Sequence, residues 1–307
     1  MNARAVTAPD PGRLLAVIGV LSVPMAFIAG VALMSELSVG LVQMNWFGAA
    51  PALVAYLGAH ALRVIRTLVV LGGSVRSVRM VALAHAVSAP WTGLLPFKVG
   101  ELVRMYGIGQ VTDGFWHGVR AVWIERTFDA VLIAIAVAVA LLTLPEAGAA
   151  ALPVGVVSVG LLVVTAGAVV ALPENLATAK LWIMRRYTTE WSLRLLAMLD
   201  DLGDAVKRLG ALVRGKLATL TVLTAAIWFL EVLGLWLLVG NFSEVGQGVV
   251  VGMLAILSDV VNPDGALQLQ FAEAIASWHA IIFVVLPAMA AAGSGWWVLA
   301  GPVRTPR

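Results

Sequence analysis

The chain alternates between long apolar runs and shorter polar segments. Six runs approach or exceed the roughly 20 residues that a transmembrane helix needs. These runs are Leu14–Met34, Trp46–Leu62, Ala121–Leu144, Ala151–Leu172, Leu217–Gly240 and Ala274–Ala300. The first is longer than the apolar region of a signal peptide, roughly 7–15 residues, so we interpret it as a retained helix. The pattern predicts an all-α polytopic membrane protein.

Composition supports this class. Of the 307 residues, 61% are hydrophobic and only 12% are charged, whereas soluble domains carry about 25% charged residues. The chain has no cysteine, which excludes disulfides, thiolate metal sites and cysteine nucleophiles.

The polar segments differ in charge, and this difference predicts their side of the membrane. Residues 63–79 contain four arginines and no acid, and residues 173–216 contain eight Lys/Arg against five acids. The segments 35–45, 145–150 and 241–246 each contain a single glutamate and no basic residue. By the positive-inside rule, both termini and the two basic segments are cytoplasmic. We expect a multi-pass protein of the plasma (inner) membrane.

Two further segments, 80–118 and 247–273, must each begin and end on one side of the membrane for this orientation to hold. Both are mainly apolar and are interrupted by proline and glycine. We interpret them as re-entrant helical hairpins that enter from opposite faces, the first from the cytoplasm. That arrangement predicts two inverted-topology halves, about 14–144 and 151–300, in one transmembrane domain spanning 1–307. A pair of short full spans in each segment is the alternative.

Residues 180–209 are predicted to form a cytoplasmic amphipathic helix that joins the halves. Apolar residues recur there at helical spacing, and charged residues fill the opposite face. The apolar set is Leu195, Leu199, Leu202, Val206 and Leu209. Trp182 and Trp191 are expected to anchor this helix at the membrane interface.

Ionisable residues also occur where the membrane is expected. The stretch "LLPFKVGELVRMYGIG" at 94–109 contains Lys98, Glu101 and Arg104. Glu101 and Arg104 are three residues apart, so they can pair on a helix. Pro96 and Gly100 favour a turn or a helix start at this point.

A second charged group lies inside a predicted span. The stretch "VWIERTFDAVL" places Glu125, Arg126 and Asp129 on one face of a helix. Each intramembrane charge costs about 2.5–3.5 kcal/mol. We therefore expect this group to meet charged partners, and the charges of the first hairpin are the candidates.

A third charged group is the second hairpin, "SDVVNPDGALQLQFAEA". Asp259 and Glu273 flank Pro263 and Gly265 in this stretch. Glu231, in the middle of the preceding span, is expected to face the same hairpin. This half is acidic, whereas the first half has mixed charge.

The first two motifs together resemble a known family. "LLPFKVGELVR" followed by "ERTFDAVL" is similar to the hallmark of the lysylphosphatidylglycerol synthase transmembrane family, also known as the flippase-domain family. Its members share P-x-(R/K)-x-G-E-x-x-R and a later E-R-x-x-D. The matching residues are Pro96, Lys98, Gly100, Glu101 and Arg104, then Glu125, Arg126 and Asp129. The family's second hallmark, P-x-x-P-G-G-x-G followed by a glutamate, is matched only by Pro263, Gly265 and Glu273.

The resemblance implies a lipid transporter with two inverted halves. Its substrate would be an aminoacylated phospholipid or a polyprenyl- or hopanoid-type lipid. No soluble aminoacyltransferase domain follows, so we expect a stand-alone member without synthase activity. The departure of the second half from the family pattern leaves substrate and coupling open.

A transporter of this kind assigns two roles to the charged residues. Lys98, Arg104 and Arg126 would hold a lipid phosphate through charge-assisted hydrogen bonds. The acids would form a coupling or structural network, namely Glu101, Glu125, Asp129, Glu231, Asp259 and Glu273. A purely structural role is the competing interpretation, because the charges of the two first-half groups cancel and would pin a hairpin against a helix.

Two other functions compete with transport. An integral-membrane enzyme acting on a lipid phosphate would need a catalytic or metal-ligand motif, but the four histidines are scattered along the sequence. We therefore expect no metal site, cofactor or catalytic residue. A membrane assembly partner or homo-oligomer is compatible with the many glycines and alanines, which permit close helix packing. Nucleic-acid binding has no support, because the basic residues are explained by topology.

Overall fold

The computed structural model describes residues 11–32, 46–72, 78–94, 99–112, 114–143, 151–187, 189–239 and 266–300, and every structural statement below concerns these residues. Within them the chain forms nine α-helices and no strand. The helices are α1 (Pro11–Ala32), α2 (Trp46–Leu71), α3 (Val78–Leu94), α4 (Val99–Val111), α5 (Phe115–Thr143), α6 (Leu152–Arg186), α7 (Glu190–Val213), α8 (Leu217–Val239) and α9 (Ala266–Ala300).

Five of these helices are long and apolar enough to cross a membrane. The candidate spans are Trp46–Leu71, Phe115–Thr143, Leu152–Ala171, Leu217–Leu238 and Ser277–Trp296. The prediction of an all-helical, multi-pass membrane protein is therefore confirmed. The first predicted span is also helical, but its apolar described part is shorter, at Leu14–Met25.

Two helices extend past the C-terminal ends of the predicted spans, and α5 and α9 begin before the predicted starts at Ala121 and Ala274. The second span was predicted to end at Leu62, but α2 continues to Leu71. The fourth was predicted to end at Leu172, but α6 continues to Arg186, where Tyr187 adopts an extended conformation (φ −134°, ψ 129°). Arginine is a good helix former, and its presence in the sequence therefore does not end a helix.

The described chain divides into two compact units. The first contains residues 1–34, 74–118 and 282–307, and the second contains residues 35–73 and 119–281. Each unit draws on both of the predicted halves, so this division does not follow the predicted boundary near residue 150. The inverted relation of the halves stays a prediction.

In the first unit, α3 and α4 form an antiparallel helical hairpin. Glycine allows the close contact: a Cβ on Gly100 would overlap the Thr92 hydroxyl and the Ser88 carbonyl. Further along α4, a Cβ on Gly107 would lie 2.6 Å from Ala84 Cβ. The first predicted hairpin segment therefore contains a pair of packed helices, and its re-entry into the membrane stays a prediction.

In the second unit, α2 and α8 pack antiparallel along much of their length. The end of α2 meets the start of α8, where Lys216 Nζ donates a hydrogen bond to the Val70 carbonyl (3.3 Å). Near the other end of the pair, Gly234 accommodates the Trp278 ring, which would lie 2.7 Å from an added Cβ. That ring also contacts Tyr56 edge-on, with 5.1 Å between centroids. Small residues and aromatic rings thus hold α2, α8 and the first part of α9 together.

The predicted amphipathic helix is α7, with a corrected start. It begins at Glu190, and Trp182 therefore belongs to α6, together with the other residues from 180 to 186. The two faces are as expected, since Val206 is buried and Asp200 is exposed. Part of the apolar face packs against α6, because Gly203 lies near Leu176 and Lys180 pairs with Asp200. Its position on the cytoplasmic surface stays a prediction.

We predict that Gly100→Ala destabilises the protein by about 1–3 kcal/mol, because the added methyl group overpacks the hairpin. Thermal unfolding in detergent micelles measures this. Gly160→Ala in α6 is the matched control, since its Cβ would meet no atom within 4 Å and alanine favours a helix. Equal stability of the two variants would contradict the close α3–α4 contact.

Candidate charge network

The motif "ERTFD" lies within α5, inside the candidate span Phe115–Thr143. Glu125 and Asp129 are four residues apart, so both carboxylates lie on the same side of the helix. Glu125 is completely buried and Asp129 is nearly so. Burying two carboxylates in this way is unfavourable unless cations and hydrogen-bond donors satisfy them.

Arg66 supplies the main cation. Its guanidinium grips Asp129 with two hydrogen bonds, Nη1 to Oδ1 (2.7 Å) and Nη2 to Oδ2 (3.2 Å). The same Nη1 donates to the Thr224 hydroxyl (3.0 Å). Arg66 Nη2 also lies 3.6 Å from Glu125 Oε2. One fully buried side chain therefore connects α2, α5 and α8.

Neutral donors complete the hydrogen bonding of the two acids. The Thr67 hydroxyl, next to Arg66 on α2, donates to Glu125 Oε1 (2.6 Å). Trp228 on α8 donates from Nε1 to Asp129 Oδ1 (3.3 Å). Such satisfaction is the condition under which a buried ion pair avoids a large desolvation penalty.

A second ion pair joins α2 to α8. Arg63 donates a hydrogen bond to Glu231, and both side chains are mostly buried. Glu231 was expected to face the second hairpin, so its observed partner on α2 is a new finding. Arg63 and Arg66 lie one turn apart on α2 and bind acids on two different helices.

Arg126 is the accessible cation of this network. Its Nη1 lies 3.1 Å from Asp129 Oδ2, so Asp129 is shared between two guanidinium groups. The Arg126 side chain is 30% exposed, whereas that of Arg66 is 1% exposed. The formal charges cancel over the whole network, which we define as Arg63, Arg66, Arg126, Glu125, Asp129 and Glu231.

The charges of the first hairpin form a separate pair. Arg104 Nη1 lies 3.8 Å from Glu101 Oε2, as the spacing of three residues predicts, and both side chains are buried. Gly100 and Arg104, four residues apart, lie on the same side of α4. These residues belong to the first unit and the network belongs to the second, so their predicted convergence stays a prediction.

Several predicted site residues lie outside the described part of the chain. They are Pro96, Lys98, Asp259, Pro263 and Gly265. Glu273 lies on α9, but its side chain is also outside the described set. The second predicted hairpin therefore stays a prediction, except that residues 266–273 are helical and continuous with the last span.

Sequence reasoning missed Arg63 and Arg66, because it assigned both to a cytoplasmic loop after Leu62. The boundary at Leu62 was wrong: both lie inside α2, and their partners lie on two other candidate spans, whereas their side of the membrane stays a prediction. A signal was present, since apolar residues continue after Arg66 as "TLVVL". The predicted partners of Glu125 and Asp129 were the hairpin cations, whereas the observed main partner is Arg66.

Within the described residues, no group of three or more His, Asp or Glu side chains is arranged to hold a metal ion. Comparisons with protein-family models, with curated proteins and with solved structures each return no match to this chain.

We predict that Arg66→Met and Asp129→Leu each cost about 3–5 kcal/mol of unfolding free energy, because each leaves a buried charge without its main partner. The double variant removes both charges and should recover part of that loss, since the formal charges of the remaining network residues still sum to zero. Equilibrium unfolding in mixed micelles measures all three variants.

Arg185→Met, at an exposed arginine of α6, is the control for that cycle and should have little effect. Single variants that cost no more than the control would contradict the role of the Arg66–Asp129 pair. So would a double variant whose loss equals the sum of the two single losses.

Proposed function

We propose that this chain is a membrane lipid transporter, a flippase that moves an anionic or phosphate-bearing lipid across the plasma membrane. The candidate lipids are an aminoacyl phospholipid, a polyprenyl-phosphate-linked lipid or a hopanoid-type lipid. Its resemblance to the lysylphosphatidylglycerol synthase transmembrane family motivates the proposal. The chain would act without a catalytic residue or cofactor, with both termini in the cytoplasm.

The observation that carries the proposal is the partial exposure of Arg126 on a membrane-spanning helix. A guanidinium group in the hydrocarbon region is unfavourable unless it meets water, an acid or an anionic ligand. Arg126 meets Asp129, but that carboxylate is already held bidentately by Arg66. A lipid phosphate can therefore bind Arg126 without leaving Asp129 unsatisfied.

The residues of the network then have two different proposed roles, one structural and one in binding the lipid. Arg66 and Asp129 hold α2, α5 and α8 in register, and this pair is closed to ligands by its burial. Arg126 is the proposed phosphate contact, and Arg104 and Lys98 of the first hairpin stay phosphate-binding candidates from the sequence. The remaining acids, Glu101 above all, are candidates for coupling transport to an ion gradient.

The dimensions of α3 and α4 support a re-entrant hairpin. These helices contain 17 and 13 residues, which corresponds to about 25 and 20 Å at 1.5 Å per residue. The hydrocarbon core is about 30 Å thick, so α4 is too short to cross it. Two such hairpins entering from opposite faces, one in each inverted half, complete the proposed architecture.

We predict that Arg126→Ala lowers lipid translocation in proteoliposomes at least about tenfold, because the phosphate loses a charge-assisted contact worth about 1.5–3 kcal/mol. Glu101→Gln should also lower translocation. The assay follows a fluorescent anionic phospholipid and a phosphate-free glycolipid analogue, and a thermal melt confirms that each variant is folded.

Arg185→Ala is the matched control and should transport at the rate of the parent chain. Unchanged translocation in both Arg126→Ala and Glu101→Gln would overturn the proposal. Equal losses for the phosphate-free and the anionic lipid would contradict the assignment of Arg126 to a phosphate.

A further inference from the structure

The end of α6 and the start of α7 form a surface of exposed aromatic and basic side chains within the second unit. We call it the arginine–aromatic patch and define it as Trp182, Arg186, Tyr187, Trp191, Arg194 and Met198. All six residues are exposed, and Trp191 reaches 68%. A cluster of large exposed side chains of this kind marks a site of interaction with a partner or a membrane.

The three patch residues at the end of α6 contact one another. The Trp182 ring meets the Tyr187 ring edge-on, with 5.6 Å between centroids. The Arg186 guanidinium lies 5.7 Å from the centroid of the Trp182 ring, within the range of a cation–π contact. These side chains therefore form one packed cluster rather than three separate groups.

Ser192, which is 1% exposed, fixes the start of α7 next to this cluster. Its hydroxyl donates to the Thr189 carbonyl (2.6 Å), and its backbone N–H donates to the Thr189 hydroxyl (3.3 Å). The remaining patch residues, Trp191, Arg194 and Met198, are three and four residues apart and lie on one face of α7. The patch thus continues from the first helix onto the second.

The length of α6 relates the patch to the membrane. This helix contains 35 residues, about 52 Å at 1.5 Å per residue. A bilayer with its headgroups is about 40–45 Å thick, and membrane helices tilt by roughly 0–40°. At a tilt of about 30°, α6 extends from one headgroup surface to the other. Because its first part is a candidate span, its last turn then lies at the headgroup level, where tryptophan and arginine are typical.

Charge identifies the lipid that complements this surface. Residues 182–198 contain three arginines and one acid, Glu190. Basic residues close to a membrane surface are attracted to anionic lipids. A second copy of the chain in the same membrane would instead bring two positively charged patches together, which is unfavourable.

We propose that the arginine–aromatic patch binds the headgroups of anionic phospholipids at the surface of the membrane that α6 crosses. Arg186 and Arg194 bind lipid phosphates through charge-assisted hydrogen bonds. The rings of Trp182 and Trp191 pack at the boundary between headgroups and acyl chains. This contact requires no translocation and uses none of the charge-network residues, so the proposal is independent of the proposed transport function.

The test measures whether the patch enters the lipid surface. Because the chain has no cysteine, Met198→Cys introduces one thiol for a nitroxide spin label. The purified full chain is placed in nanodiscs of phosphatidylcholine alone or mixed with phosphatidylglycerol. Electron paramagnetic resonance then gives the collision rate of the label with a water-soluble nickel complex. We expect phosphatidylglycerol to lower this rate at least about fivefold, because the label moves out of water.

Ala197→Cys is the position control. Ala197 is exposed, but successive residues of a helix point about 100° apart, so it faces away from the patch. Its collision rate with the nickel complex should be similar in the two lipid mixtures.

Two double variants test the arginines through the label at 198. Arg186→Gln combined with Arg194→Gln should abolish the effect of phosphatidylglycerol. Lys207→Gln combined with Arg214→Gln removes the same charge at two other exposed positions, and the effect should remain.

Three outcomes would overturn the proposal. A label at 198 that stays in water in both mixtures would exclude the lipid surface and leave the patch to an acidic protein. A label that is equally protected in both mixtures would show that the surface does not select anionic lipid. Equal loss of the effect in the two double variants would show that the total charge, and not the patch, attracts the lipid.

Discussion

The bidentate pair between Arg66 and Asp129 is the interaction on which the second unit depends. It lies inside candidate membrane spans, where an unpaired charge is costly and cannot be rescued by water. Because Thr224 shares the same guanidinium, the pair fixes three helices at once. A rotation of any one of these helices would separate at least one donor from its acceptor, so the arrangement specifies a unique register as well as contributing stability.

Under the proposed transport function, this pair explains how one motif can have a structural role and also bind a phosphate. Asp129 is satisfied by Arg66, so the neighbouring Arg126 is held near an acid that does not depend on it. A cation that is already paired is less costly in a membrane, yet it can exchange its partner for a phosphate. The first hairpin contains a comparable element, in which Arg104 and Glu101 pair on the helix that Gly100 brings against α3.

Much of the helical framework was predictable, because apolar runs near 20 residues and loop charges are strong local signals. The clustering of Glu125 and Asp129 on one face followed directly from helical periodicity. The identity of their partner did not, since Arg66 is distant in sequence and resembled a loop residue. The extensions of α2 and α6 were missed for a related reason. A charged residue that pairs with another helix can lie inside a helix, whereas a prediction from hydropathy alone ends the span at that residue.

The network contains a closed arginine, Arg66, and an accessible one, Arg126. Because the chain has no cysteine, Arg66→Cys and Arg126→Cys each introduce a single reactive thiol. The direct measurement is the rate at which a water-soluble, positively charged thiosulfonate modifies each thiol in proteoliposomes. We predict modification of the thiol at 126, with recovery of transport as the positive charge returns, and little reaction at 66. Equal rates at the two positions, or reaction at 66 alone, would contradict it.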